Sequence, residues 1–165
     1  MQPAEYWIQH LGLKPHPEGG FFRETFRSAE SVLKKDLPAR FTGPRNFSTA
    51  IYFLLRSEDR SLFHRIKSDE LWHWHAGSTL SIYVLDSIGL ALYPLGDRPE
   101  NGESFQLAVP ANTWFGARME QEESYALVSC TVAPGFDFED FELADRETLI
   151  KEFPAHGEII GMLTA

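Results

Sequence analysis

Short segments of mixed apolar and polar residues follow one another between residues 48 and 143, and turn-forming residues separate them. The separators include Gly89, Gly96, the 101–102 Asn-Gly pair and the 110–112 Pro-Ala-Asn stretch, all rich in residues that adopt turn conformations easily. Several short strands at such spacing are typical of an all-β sandwich or barrel. The pattern therefore predicts an all-β domain whose strands are joined by tight connections.

The predicted strands are 21–27, 48–55, 61–67, 70–76, 79–86, 89–94, 104–109, 114–118, 124–132 and 137–143. Short helices are expected at both ends, over about 3–11 and within about 146–163, because Asp145 has the character of an N-cap and Pro154 interrupts the second segment. The barrel core is then expected over about 20–143. With 165 residues and 43% apolar composition, the chain is long enough for one domain with a packed interior.

The formal net charge is −9, and the basic residues form no stripe or run. Such a chain would repel a phosphate backbone overall, so nucleic acid is not expected as a partner. No segment has the apolar length of a membrane helix, and residues 1–11 lack the basic head and apolar run of a signal peptide. We expect a soluble, cytoplasmic protein with no membrane partner. The single cysteine, Cys130, lies in an apolar strand and is expected to be a buried, unreactive thiol.

The densest chemistry lies between residues 61 and 77, where three histidines, two tryptophans, one aspartate and one glutamate occur. Side chains alternate between the two faces of a strand, so a hairpin turn near residue 68 would gather part of this set on one face. The residues placed together in this way are His64, Ile66, Glu70, Trp72 and Trp74, and those placed on the other face are Arg65, His73 and His75.

The spacing of this stretch resembles the first cupin motif, in which two histidines two residues apart precede a glutamate and then a glycine. His64, Glu70 and Gly77 match the first, third and fourth positions, whereas Ile66 occupies the second histidine position. The 110–112 stretch resembles the turn of the second cupin motif. The metal-binding histidine that follows this turn in cupins is replaced by Phe115.

More specifically, the chain resembles the fifth cupin family of unknown function. The residues that carry the resemblance are His16-Pro-Glu-Gly-Gly20, Glu24-Thr25, the segment 48–54, Ser61, His64-Arg65, Asp69-Glu70, Trp72, Gly77, Val109-Pro-Ala111, Trp114 and the segment 133–141. The resemblance implies a double-stranded β-helix, or jelly-roll barrel, with an internal small-molecule pocket. It also implies a homodimer.

The resemblance also bears on metal binding, because cupins commonly hold a divalent ion with three histidines and one glutamate. Two of those four positions, Ile66 and Phe115, have no ligating atom here. His64 and Glu70 alone would bind a metal weakly, since catalytic zinc sites normally have three protein ligands. His16, His73 and His75 are the candidate replacements. We expect no metal or other cofactor, while a metalloenzyme with a non-standard ligand set remains an open alternative.

A histidine and a carboxylate within hydrogen-bond reach make a general base, so we expect His64 to accept protons and Glu70 to orient it. Some metal-free cupins are sugar-nucleotide epimerases in which an aromatic acid faces the base, and the resemblance implies that Tyr52 or Tyr125 has this role. Our first hypothesis is therefore a metal-independent isomerase or epimerase acting on a carbohydrate-like substrate. The alternative is a non-catalytic barrel that binds a small molecule in the same pocket.

Further residues are expected to contact the substrate. Trp72 and Trp74 either form a stacking floor for a ring or simply fill the barrel. The other expected pocket residues are Ile66, Phe115, Arg23 and Glu24. Four arginines are candidates for holding an anionic group, namely Arg23, Arg27, Arg45 and Arg65. The acidic stretch 137–142 is interpreted as a solvated edge strand rather than a cation site.

Overall fold

The computed structural model describes residues 2–165 as two facing antiparallel sheets with short helices at both ends. The helices are α1 (Ala4–His10), α2 (Arg146–Glu152) and α3 (Gly157–Met162). The strands are β1 (Lys14–Pro15), β2 (Phe21–Arg27), β3 (Ser31–Val32), β4 (Arg45–Asn46), β5 (Thr49–Arg56), β6 (Arg60–Arg65), β7 (Asp69–Gly77), β8 (Leu80–Asp86), β9 (Gly89–Leu95), β10 (Gln106–Val109), β11 (Trp114–Met119), β12 (Tyr125–Ala133) and β13 (Glu142–Leu143).

One sheet has six strands in the order β1-β2-β5-β12-β7-β10, and the other has five in the order β13-β6-β11-β8-β9. The two small strands β3 and β4 pair separately. All but one of the predicted strands, and each terminal helix, are present with bounds within two residues of those predicted. The predicted all-β jelly-roll architecture is therefore confirmed. Within residues 2–165, no helix is both long and apolar enough to span a bilayer.

The main hydrophobic core lies between the sheets and combines side chains from both. Trp72 of β7 is at its centre with 1% of its surface exposed, and its ring meets Phe53 edge-on at 5.7 Å and Phe115 at 6.2 Å between centroids. Such edge-to-face contacts add to the free energy that apolar burial supplies. The ring of Phe115 also packs at 4.2 Å from the imidazole of His64. The apolar core is therefore in direct contact with a polar side chain of the barrel interior.

Two outer clusters hold the helices against the sheets. Phe63 packs with α2 and α3 on the outer face of the five-stranded sheet, while its neighbour His64 points inward. The period of two along a strand accounts for this division. The same alternation along β7 buries Glu70 and Trp72 and leaves 40% of Leu71 exposed, as the sequence pattern predicts. On the outer face of the six-stranded sheet, Leu54 belongs to a cluster with residues of α1.

The predicted strand at 137–143 is wrong, because this segment forms a 3-10 turn over Phe138–Asp140 and then the two-residue strand β13. The side chain of Asp137 accepts a hydrogen bond from the backbone N–H of Glu139, which closes the turn. Asp140 is buried and not solvated, and its carboxylate takes two hydrogen bonds of 2.7 Å from the Arg45 guanidinium. The acidic stretch is therefore an anchored loop that leads into the two-residue edge strand β13, and not one continuous edge strand.

Gly77 ends β7 in a conformation that only glycine adopts freely, with φ +104°. A Cβ atom at this position would lie 2.1 Å from the carbonyl oxygen of Tyr125 in the adjacent strand β12. The close approach of two backbones therefore accounts for the glycine.

We predict that Gly77→Ala lowers the free energy of unfolding by at least about 3 kcal/mol, because it combines an unfavourable φ with a clash against backbone. Gly102→Ala is the matched control. Gly102 also has a positive φ, of +79°, but nothing lies within 4 Å of its added Cβ, so only about 1–2 kcal/mol is expected. Urea denaturation of both variants measures the difference, and equal losses would contradict the backbone clash.

Candidate active site

A cavity of about 250 Å³ opens between β2, β5, β6, β12 and the loop that follows β12. Its polar wall contains the carboxylates of Glu18, Glu24, Glu70 and Asp137, the bases His16, Arg27 and His64, and the side chains of Thr49 and Cys130. Its apolar wall is formed by Phe22, Ile51, Ile66, Val132, Phe136, Phe138 and Phe141. Both acidic and basic side chains therefore line one small cavity whose remaining wall is largely apolar.

A β-bulge in β2 determines which of its side chains reach this cavity. Glu24 pairs with Ile51 and Arg27 with Thr49, but the register shifts between them because Thr25 has no partner in β5. The extra residue moves Arg27 onto the face of Glu24 and turns Phe26 outward with 54% of its surface exposed. Uniform alternation, which would place Phe26 inward, is therefore wrong for the second half of this strand.

Arg27 connects three parts of the cavity wall. Its guanidinium donates two hydrogen bonds to the carboxylate of Glu24, at 3.0 and 2.7 Å. Its Nη1 donates to Asn46 Oδ1 at 2.8 Å and to the backbone carbonyl of Phe136 at 3.1 Å. Arg27 thus ties the loop after β12 to strand β2 at the mouth of the cavity.

The turn from His16 to Gly20 delivers a carboxylate into the cavity. Gly19 and Gly20 have φ of +106° and +72°, and a Cβ on Gly19 would lie 1.9 Å from the carbonyl oxygen of Arg60. Two glycines therefore let the turn pack directly on the start of β6. The backbone carbonyl of Glu18 accepts a hydrogen bond from Leu62 N–H at 3.0 Å, which fixes the Glu18 side chain beside β6.

Glu18 and His64 form a buried ion pair at the base of the cavity. His64 Nε2 lies 3.0 Å from Glu18 Oε2, and Nδ1 donates to the carbonyl of Leu62 at 2.7 Å. A carbonyl can only accept, so Nδ1 holds a proton, and a second proton on Nε2 then satisfies the carboxylate. Ser61 donates a further hydrogen bond to Glu18 at 2.9 Å. We therefore assign an imidazolium and a carboxylate.

The electrostatics of the pair agree with this assignment. Burial disfavours the charged imidazole, but the attraction and hydrogen bond of Glu18 outweigh burial and raise the pKa of His64. Burial would likewise raise the pKa of Glu18, but the charge and hydrogen bond of His64 lower it. His16 lies at the edge of the pair, and burial lowers its pKa despite the nearby carboxylate. Each partner therefore favours the charged form of the other, which is the state that the hydrogen bonds assign.

Glu70 lines the same cavity but takes no part in an ion pair with any residue between 2 and 165. Only 8% of its surface is exposed, and burial raises its pKa to about 7. The charge of His64 partly opposes this shift, while the negative charge of Glu18 adds to it. Its hydrogen-bonding neighbour is the Cys130 thiol, whose own pKa burial raises well above the usual value. Glu70 is thus close to half-protonated at neutral pH.

The structure brings together six of the residues that the sequence nominated and separates the others from them. The cavity is lined by His16, Glu24, Arg27, His64, Ile66 and Glu70. Trp72 and Phe115 are core residues outside its wall, and Trp74 packs against the same core while its Nε1 donates to the carbonyl of Ser78. Of the two alternatives for Trp72 and Trp74, the structure therefore favours filling of the barrel over a stacking floor for a ligand. Arg23 lies on the opposite face of β2 and is exposed.

Neither candidate tyrosine faces His64, so the expectation of an aromatic acid opposite the base needs correction. Tyr125 lies under α1, where its hydroxyl donates to the carbonyl of Gln2 at 2.7 Å and accepts from Trp7 Nε1 at 2.9 Å. Tyr52 belongs to the same outer cluster, and its ring centre is 6.1 Å from that of His75. Both point away from the barrel interior because the alternation of β5 and β12 directs their neighbours inward.

The most consequential residue that the sequence reasoning missed is Glu18. Glu70 was expected to orient His64, but Glu18 has that position. The two glycines after Glu18 indicated a tight turn, yet no local pattern places that turn beside a strand more than forty residues later. Phe138 and Phe141 were missed for a similar reason, because they were assigned to an edge strand. Both of these contacts are long-range and come from the closure of the barrel.

The side chains at the cupin metal positions do not fit the ion that cupins commonly hold. Ile66 presents only hydrocarbon to the cavity, and Phe115 packs against the His64 ring. Both nitrogens of His64 are engaged, one by Leu62 and one by Glu18. Across residues 2–165, no three histidine, cysteine, aspartate or glutamate side chains are grouped so that they could bind a metal. His73 and His75 point outward, toward Gln106 and Ser129 respectively.

Removing the partner of a buried ion leaves an uncompensated charge. We predict that Glu18→Gln lowers the free energy of unfolding by about 3–5 kcal/mol and lowers the pKa of His64, since the charge and hydrogen bond of Glu18 that oppose burial are then lost. Chemical denaturation and NMR titration of the His64 ring measure the two effects. Glu142→Gln is the control, because it breaks the exposed pair with Arg65 and should cost less than about 1 kcal/mol. Equal losses would contradict the role of Glu18.

A carboxyl group whose pKa is raised in the folded protein makes the protein less stable as the pH rises. Between the usual value of 4.5 and the folded value of about 7, the folded chain holds a proton on Glu70 that the unfolded chain releases. Its stability relative to Glu70→Gln should therefore fall by roughly 3 kcal/mol as pH rises through this window, and then level off. Denaturation of both proteins at several pH values between 4.5 and 8 measures this. A stability difference that does not change with pH would contradict the raised pKa.

The comparisons with known proteins are consistent with this fold. A structure of protein SO0799 from Shewanella oneidensis is 39% identical, with a TM-score of 0.89 and coverage of 100% of this chain and 99% of that one. A hypothetical protein from Leishmania major is 36% identical, with a TM-score of 0.88 and 99% coverage of both chains. The uncharacterized protein YML079W of Saccharomyces cerevisiae is 29% identical over 153 residues, which cover 87% of this chain and 76% of the yeast protein. The model of the Cupin superfamily (DUF985) family matches residues 5–144, and the chain therefore belongs to that family.

Proposed function

We propose that this cupin is a metal-independent isomerase or epimerase that moves a proton on a small carbohydrate-like substrate, with Glu70 as the acid–base group. One observation carries the proposal: a buried carboxyl group, Glu70, lies in the cavity wall without an ion-pair partner between residues 2 and 165, and burial raises its pKa to about 7. A general base is most effective when its pKa is near the working pH, because it can then both accept and return a proton.

The geometry favours Glu70 over His64 as the proton carrier. Both ring nitrogens of His64 already have hydrogen-bond partners, and its proton is shared with Glu18. Releasing that proton to a substrate would leave Glu18 buried opposite a neutral ring. We therefore assign His64 a positioning role, in which its positive charge limits how far burial raises the pKa of Glu70. The sequence-based assignment of His64 as base is revised accordingly.

The proposed reaction is the transfer of a proton at a carbon next to a carbonyl group. Ionised Glu70 takes the proton from carbon, and the electron pair moves onto the carbonyl oxygen to form an enolate. Once the enolate has turned its other face toward Glu70, the proton returns to the same carbon as the electron pair leaves the oxygen, which gives the epimer. In an α-hydroxy carbonyl compound the hydroxyl proton can instead move to the enolate oxygen, and Glu70 then returns its proton to the former carbonyl carbon, which gives the isomer. Thr49 Oγ accepts a hydrogen bond from Phe136 N–H at 2.9 Å, so its own hydroxyl hydrogen can be donated to a substrate oxygen.

The size and lining of the cavity limit the substrate. A volume of about 250 Å³ is just below the roughly 300–1,000 Å³ of common ligand pockets, so a single ring or short chain fits best. Phe22, Phe136 and Phe141 supply apolar faces, and the carboxylates supply hydrogen-bond acceptors for hydroxyl groups. A monosaccharide-sized polyhydroxylated compound matches this combination.

A purely binding barrel is the alternative, and the state of Glu70 argues against it. Burying a carboxyl group with its pKa raised to about 7 costs folding free energy at neutral pH. A glutamine of nearly the same shape could accept and donate hydrogen bonds to a ligand without that cost. Strongly perturbed ionisable groups in clefts are found preferentially where protons are transferred.

Proton transfer to carbon can be detected without knowing the natural substrate. We predict that the protein incubated in D₂O with a panel of aldoses, ketoses and amino sugars incorporates deuterium at carbon in at least one of them, as read by mass spectrometry. Glu70→Gln should lower the exchange rate by at least about a hundredfold, because general acid–base groups commonly contribute 10²–10⁴-fold.

Glu122→Gln is the matched control, since Glu122 lies exposed in the loop between β11 and β12. It should exchange deuterium at the wild-type rate. An unchanged rate in Glu70→Gln would reject Glu70 as the acid–base group. Saturable binding without any deuterium exchange across the panel would favour the non-catalytic barrel.

A further inference from the structure

We infer that the cavity selects a small hydroxylated ligand that carries a positive charge, such as an amine or quaternary ammonium compound. The inference rests on the proposed function, because it names the charge class of the substrate for the same cavity. It stands on three features of the wall: an excess of carboxylates, an arginine whose three guanidinium nitrogens each donate to protein partners, and an aromatic lining.

The charges that face the cavity do not balance. Ionised Glu18, Glu24 and Asp137 contribute three negative charges, whereas Arg27 and the imidazolium of His64 contribute two positive charges. One negative charge is therefore uncompensated within the wall, and ionisation of Glu70 adds a second. His16 does not restore the balance at neutral pH, because burial lowers its pKa, and the Cys130 thiol stays uncharged because burial raises its pKa.

The arginines offer little to an anion. Arg27, the only arginine in the described part of the cavity wall, directs Nε, Nη1 and Nη2 to Glu24, Asn46 and the Phe136 carbonyl. Arg45 is buried against Asp140 outside the wall. Arg65 pairs with Glu142 and lies over the ring of Trp114 at 4.3 Å. The sequence-based expectation that an arginine holds an anionic substrate is therefore not supported by the geometry.

The aromatic lining suits a cation better than a neutral polyol alone. Phe136, Phe138 and Phe141 form a cluster whose ring centres are 5.0 to 6.4 Å apart, and Phe22 lies across the cavity against His16. Ring faces attract cations, and aromatic walls are a common means of binding quaternary ammonium groups. Two different interactions in this wall, charge and π-attraction, thus favour the same sign of ligand.

Ligand charge is linked to the proton on Glu70. A cation in the cavity favours ionised Glu70, so binding near neutral pH should release a proton to solvent. Three other titratable groups face Glu70: attraction to Glu18 raises the pKa of His64, His64 lowers the pKa of Glu18, and burial raises the pKa of the Cys130 thiol. Affinity for a permanently charged ligand should therefore rise between pH 6 and pH 8.

Matched probes separate charge from shape. Choline and its neutral carbon isostere dimethylbutanol differ essentially in one charge, and glucosamine and glucose form a second pair. Calorimetry or ligand-observed NMR at pH 7 should show the cation of at least one pair bound about tenfold more tightly than its neutral partner, the size expected for a single charge interaction in a partly solvated wall. Where choline binds, the binding enthalpy should depend on the ionisation enthalpy of the buffer, and Glu70→Gln should remove that dependence.

Asp137→Asn removes one carboxylate of the wall and should weaken cation binding several-fold without affecting the neutral partner. Asp97→Asn, at an exposed position outside the cavity, is its control and should bind like the wild type. The inference is overturned if neither cation binds more tightly than its neutral partner, whether all probes bind equally or none binds. Charge-independent binding with deuterium exchange intact would overturn it and leave the proton-transfer proposal standing. Tighter binding of the cation without any deuterium exchange would support the inference and overturn the proton-transfer proposal.

Discussion

The buried ion pair between Glu18 and His64 is the contact on which the arrangement of the cavity depends. A charge inside a barrel is tolerated only when it is paired and hydrogen-bonded, and both partners here satisfy that condition through Leu62 and Ser61. Glu18 and His64 are each other's counterion, so neither of them serves as the counterion of the adjacent carboxyl group of Glu70. Burial without a counterion of its own therefore raises the pKa of Glu70.

A second consequence of burial concerns the loop after β12. Asp140 is held by Arg45, and the carbonyl of Phe136 is held by Arg27. One contact is made at Phe136 and the other between Phe138 and Phe141, so both hold the segment that carries the phenylalanine cluster over the cavity without strand pairing. Two guanidinium groups, with their fixed fork geometry, thus take over the task that strand pairing performs elsewhere in the barrel.

Much of the fold was accessible from the sequence, because it follows from short-range signals. Turn residues such as Gly89 and the Asn101-Gly102 pair fixed most strand bounds, and Asp145 marked the start of α2 by accepting a hydrogen bond from Thr148 N–H. Alternation placed His64 and Glu70 inward correctly. The candidate site was only partly accessible, because Glu18 reaches it through barrel closure, and no spacing rule reveals which of two carboxylates contacts a given imidazole. The β2 bulge was equally hidden, since Thr25 and its neighbours show no sequence signal that breaks the alternation.

That single unpaired residue in β2 decides what stands at the entrance of the cavity. If Thr25 instead paired regularly with β5, hydrocarbon from Phe26 would occupy the rim, and the guanidinium of Arg27 would point to bulk water. The extra Thr25 exchanges the two, so that a polar, water-attracting rim leads to an aromatic interior. A hydroxylated molecule can then exchange its hydration for hydrogen bonds at the rim before its carbon skeleton reaches the phenylalanine walls. Because of this one extra residue, an entering molecule meets the polar side chains of β2 at the rim first and the apolar side chains of the interior afterwards.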